Sequence, residues 1–127
     1  MPKHYHRHQL DIYGVTLYVT TSERGWKKIQ ARCPFDDINP AAAGWSSVGQ
    51  FIPDDGGPGE TSAAVYINGL QPDTERIDTC AHEAAHIAVE IMDRISSPTT
   101  GEPFAYLVGW LTRWLWEHTS TDEENTP

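Results

Sequence analysis

The sequence predicts an α+β domain, a small antiparallel or mixed sheet packed against two main helices. Three observations carry this. Apolar residues alternate with polar ones at 10–20 and again at 62–68, the two-residue period of half-buried strands. From about 74 to 95 the period changes, and Ala81, Ala84, Ala85, Ala88, Ile91, Met92 and Ile95 mark one helical stripe. From 102 to about 118 a second helical run is apolar almost all round.

Along the chain, residues 1–9 hold His4, His6 and His8 in alternation. In a strand they would share one face and bind a metal adventitiously; a frayed N-terminus is the expectation. Tyr13, Val15, Leu17 and Val19 define a strand over 10–20. A turn at Glu23-Arg24-Gly25 leads to a partner strand over 26–32. Residues 33–43, with two prolines and an alanine run, read as loop or short helix. Two further strands, 45–52 and 62–68, flank an acidic Gly/Pro loop at 53–60. Gly69 ends the second of these, and Asp73 serves as N-cap of the first long helix. Ser96-Ser97-Pro98 stops that helix. The next opens after Thr99-Thr100-Gly101, with Pro103 in its first turn. Residues 1–118 thus read as one domain and 119–127 as a disordered acidic tail.

The 127 residues suit a single core, and 39% hydrophobic with 21% charged is a globular balance. A net charge of -9 argues against nucleic acid, whose phosphates need clustered Lys and Arg. The densest basic group, Arg24, Lys27, Lys28 and Arg32, reads as a solvated strand face. Residues 1–20 show no secretory apolar segment, and no run approaches membrane-spanning length. The expectation is a cytoplasmic protein with no membrane partner, its Cys33 and Cys80 reduced, and Cys80 a small apolar residue of the motif helix.

The chemistry lies in His82-Glu83-Ala84-Ala85-His86. A helix turns about 100° per residue, so His82 and His86 project from one face, one turn apart. Their imidazoles can converge on one zinc ion. Glu83 stands beside that axis, where it can take a proton from a metal-bound water attacking a carbonyl. A catalytic zinc wants three protein ligands. Glu102 is the candidate third, since a short link brings the two helices side by side. Its carboxylate meets the motif if the helices cross suitably. His118, Glu117 and Asp93 compete less well: His118 lies about four turns along the second helix, and Asp93 shares the helix of the two histidines. Tyr106, one turn after Glu102, would orient a ligand or stabilise the oxyanion, or else is a core tyrosine. Glu90, one turn after His86, either supports an imidazole or is a solvated helix residue.

The motif followed by Glu102-Pro103-Phe104-Ala105-Tyr106 resembles the gluzincin branch of the zincin-like metallopeptidases. The Glu-x-Phe-Ala element looks like the Asn-Glu-Gly-Phe-Ala of the M1 aminopeptidases, with Gly101 and Pro103 in place of Asn and Gly. The stretch from Glu102 to Leu111 is also similar to small proteins of tailed bacteriophages and prophages, which would set the chain in a bacterial host cell. The resemblance covers roughly residues 62–117. It implies a minimal gluzincin with zinc on His82, His86 and Glu102, and Glu83 as the catalytic base with Tyr106 beside it. It also implies a strand, matched to 62–68, lying next to the motif helix as an edge that pairs with extended substrate.

Two functions follow from the metal. One is a zinc-dependent hydrolase, a peptidase by preference, acting on a peptide or protein. The other is a zinc-stabilised, non-catalytic binding protein, such as a phage-encoded modulator of a host protein, which would keep the ligands but not need Glu83. A regulatory protease working with a separate DNA-binding chain is a third. The Trp-rich second helix offers a homodimer surface.

Overall fold

The computed structural model describes residues 4–51, 57 and 59–120. Among these, the elements in order are β1 (His6–Leu10), β2 (Val15–Thr20), α1 (Glu23–Gln30), β3 (Gly44–Phe51), β4 (Glu60–Ile67), α2 (Asp73–Arg94) and α3 (Glu102–Glu117). The class is α+β, and the sheet is mixed, in the order β1-β2-β4-β3. β1 and β2 form an antiparallel hairpin, β2 and β4 run parallel, and β3 and β4 are antiparallel.

The strand period of two divides the sheet cleanly. Leu17, Val19, Ala63, Val65 and Ile67 face α2 and α3. Tyr18, Ala64 and Tyr66 face the other way, toward Trp26 and Ile29 of α1. The two central strands are therefore covered on both faces, and Val15–Thr20 is buried throughout. Burying each large aliphatic such as Leu17, Ile67, Ile87 or Leu111 contributes about 1.5–3 kcal/mol.

Three expectations change here. The strand foreseen over 10–20 is a hairpin, because Asp11-Ile12-Tyr13-Gly14 turns the chain with Gly14 at φ 64°. Residues 6–10 are consequently not frayed: β1 pairs with β2 from His6↔Val19 to Leu10↔Val15. Its alternation sets His6 against His118, ring centroids 4.5 Å apart, and His8 against Trp110 at 5.2 Å. The strand foreseen over 26–32 is helix α1 instead. Ser22 caps it by accepting a hydrogen bond from the Gly25 amide at 3.0 Å. Trp26 and Ile29, one turn apart, supply the buried stripe, and Trp26 Nε1 donates to the Asp36 carbonyl at 3.0 Å. Gly25 is required there, since a β-carbon would meet the Thr20 hydroxyl and the His4 carbonyl.

Residues 33–43 form a loop as expected, and the acidic segment falls largely outside the described residues. α2 begins one residue early, so Asp73 lies in its first turn and Pro72 is the N-cap. α2 and α3 pack as a helical hairpin through Ala84, Ala88, Ile91, Leu107, Leu111 and Leu115, with the small alanines permitting close approach. At its open end Arg76, 6% exposed, donates to the Trp116 carbonyl at 2.9 Å and the Thr119 hydroxyl at 2.8 Å. Its guanidinium also lies 3.6 Å from the Trp116 ring centroid. Thr119 is fully buried, so the folded part extends past 118; residues 121–127 lie outside the description. Cys33 and Cys80 are unbridged and buried, and burial pushes the Cys80 thiol up. No helix among the described residues is long and apolar enough to cross a membrane.

Candidate metal centre

α2 presents three faces at the motif. Ala84, Ile87 and Ala88 point into the core. His82 and His86 stand on the exposed face, one turn apart, with Nε2 to Nε2 at 3.1 Å. Glu83 points between these, toward the sheet, and is only 6% exposed.

A carboxylate held that deep needs a hydrogen-bond partner. The Ser46 hydroxyl of β3 donates to Glu83 Oε1 at 2.7 Å. Gly44 makes room for this contact: a β-carbon there would stand 3.2 Å from Glu83 Oε2 and 2.6 Å from Thr79 Cγ2. Among the described residues no Lys, Arg or His lies within ion-pair distance of Glu83. A buried carboxylate without a cation, next to two converging imidazoles, is a setting that favours a bound positive ion.

The donor set fits zinc. Two nitrogens bound tetrahedrally at about 2.0–2.1 Å from one ion are separated by about 3.4 Å, close to the 3.1 Å seen here. The pair opens onto a cleft of about 550 Å³ walled by residues 44–48 of β3 on one side and by Ile87, Val89 and Glu90 of α2 on the other. A smaller hollow of about 350 Å³, lined by Asp78 and Thr79, continues it toward the start of α2.

The strand beside the motif helix is not the one expected. Residues 62–68 fall mostly in β4, which is paired on both sides and has no edge to offer. β3 is the outer strand, and it lines the cleft. The crossover between β2 and β4 makes β4 central, a long-range pairing that local alternation cannot reveal.

Of the predicted site residues, the fold brings together His82, Glu83 and His86, with Glu90 in the same cleft. Glu102 does not line that cleft. Among the described residues no group of three His, Cys, Asp or Glu side chains is arranged to hold a metal. The reason is the level at which the helices meet. Arg76 lies against Trp116 and Thr119, so the hairpin is antiparallel from its open end. Counting back from that contact, Glu102 in the first turn of α3 is level with about residues 90–93 of α2, beyond His86. At 1.5 Å per residue the offset along the axis is about 6–10 Å. Tyr106 is 74% exposed and does not line the cleft. His118 stacks on Trp114 and His6 at the far end, and Glu117 pairs with Arg113 at 3.8 Å. Ser46 and Gly44 carried no signal in the sequence, because their importance comes from the β3–α2 approach.

No protein family, no curated protein and no solved structure matches the chain.

Proposed function

We propose that this protein is a zinc-dependent hydrolase of zincin type that cleaves peptide bonds, with His82 and His86 as metal ligands and Glu83 as the general base. The observation that carries this reading is the convergence of two imidazole nitrogens at 3.1 Å beside a buried glutamate in one open cleft.

A zinc ion held by the two histidines supplies Lewis acidity, polarising a carbonyl and making nearby water more acidic. The chain's own residues do the rest. Glu83 accepts a proton from the attacking water and returns it to the leaving amine. Ser46 fixes the carboxylate so that one oxygen is held and the other is available to the cleft. β3 pairs with β4 alone, so its outer edge is available to an extended peptide through backbone hydrogen bonds. Glu90, which lines the same cleft one turn after His86, would support the histidine pair.

Purified protein reconstituted with zinc should hold about one ion per chain and cleave members of a peptide library. Glu83→Gln should keep the metal and the fold while lowering hydrolysis by at least about a hundredfold. Full activity in that variant would overturn the base assignment, and no retained zinc would overturn the centre itself.

A second reading has its own support. Only two ligating side chains converge among the described residues, which suits a zinc completed by a side chain of a partner protein. In that case Glu83→Gln leaves partner binding intact while His82→Ala abolishes it.

A further inference from the structure

On the face of the sheet away from His82 and His86, a cavity of about 760 Å³ opens beside β1, β2 and the segment following α1. Its wall carries Arg7 and Arg32, in a chain where 18 acidic residues face 9 basic ones. Both arginines line the cavity together with Tyr18. Arg7 stands directly opposite Tyr18 in the β1–β2 pair, and such cross-strand partners have β-carbons about 4.5–5.5 Å apart on one face. The Tyr18 and Tyr5 phenols beside Arg32 push its pKa up.

Among the described residues neither guanidinium has a carboxylate within ion-pair distance; the pairs formed are Arg76 with Asp73 and Arg113 with Glu117. Glu60 also borders the cavity, its Oε1 accepting the Thr16 hydroxyl at 2.6 Å, and its negative charge is one the two arginines must outweigh. The Gln30 amide is committed to the Phe35 carbonyl and to Asp37. The two arginines thus supply the positive charge of the wall. Phe51, held edge-on to Phe35 with centroids 4.9 Å apart, adds an aromatic surface.

We propose that this cavity binds a small organic oxyanion, a phosphate or carboxylate group carried on a flat apolar body. Two guanidinium forks match an oxyanion's paired oxygens, and arginine stays charged at any working pH. The aromatic wall takes the apolar body. The volume lies within the range of about 300–1,000 Å³ usual for small-molecule sites. The site is separated from the zinc centre by the sheet, so it stands or falls independently of the hydrolase reading.

The test is a titration of the full chain, by calorimetry and by amide chemical shifts, with phenyl phosphate, benzoate, inorganic phosphate and phenol. Phenyl phosphate or benzoate should bind saturably, one per chain, shifting the amides of Arg7, Tyr18 and Arg32. The tighter of the two identifies the head group. Phenol and inorganic phosphate should each bind at least about tenfold more weakly, having only half of the recognition chemistry. Arg7→Ala and Arg32→Ala should each weaken binding about tenfold or more, with Arg32→Lys between wild type and Arg32→Ala because charge remains but the fork is lost. Both arginines are exposed, so the variants should melt with the wild type. Glu83→Gln should bind the anion unchanged. No saturable binding up to about 10 mM, or undiminished binding in the Arg7→Ala/Arg32→Ala double variant, overturns the proposal.

Discussion

Gly44 and Arg76 govern the site and the fold through contacts that no spacing rule anticipates. Gly44 lets β3 come close enough to α2 for Ser46 to reach Glu83. Gly44→Ala should destabilise the protein by about 1–3 kcal/mol in urea unfolding, and hydrolysis should fall further than stability does. Thr79→Ser added to Gly44→Ala removes the 2.6 Å clash with Cγ2. It should restore stability but not activity, since the contact with Glu83 remains. Arg76 is buried between two acceptors and a tryptophan ring. Arg76→Ala leaves those acceptors unsatisfied and should cost about 2–3 kcal/mol in the same assay. Lysine should recover only part of this, lacking the planar fork. At this scale the sequence was legible where periodicity speaks. His82, Glu83 and His86 occupy the faces that 100° per residue assigns them. Ser46, Gly44 and Arg76 were silent because their roles depend on residues 35–43 positions away.

Among the elements, α2, β3 and β4 lie close to where alternation and helical spacing put them. α1 does not. Trp26 and Ile29 lie three apart, on one face of a helix but on opposite faces of a strand, and the Ser22 cap starts that helix. The helical hairpin decides the metal question in the same way. Its antiparallel level leaves Glu102 near the end of α2 and Glu90 beside His86. Under competition with a chelator, Glu90→Ala should therefore weaken zinc retention about tenfold, while Glu102→Ala stays within about twofold of wild type. The opposite order would show that α3 slides along α2 when metal binds.

Over the whole molecule, neither apolar cluster includes His82 or His86, which stand on the exposed side of α2. The core is complete without a metal. Stripping zinc with a chelator should leave the far-ultraviolet circular dichroism unchanged. It should lower the unfolding free energy by the linkage term alone, about 2.7 kcal/mol at a hundredfold excess over Kd. Collapse of the secondary structure on chelation would mean instead that zinc holds the fold together. The second face of the sheet, with α1 and the Arg7–Arg32 cavity, offers a surface that the proposed zinc centre does not use.

By itself the sequence determined the α+β class, the two long helices, two of the strands and the pairing of His82 with His86, because each rests on local periodicity within one element. Only the tertiary structure decided which strand borders the cleft, how Glu83 is held, and where Glu102 lies. The order β1-β2-β4-β3 and the antiparallel level of the α2–α3 hairpin depend on contacts between distant segments. Strand order and helix level are set by how whole faces fit together, and a one-dimensional pattern of apolar residues records the faces but not their partners.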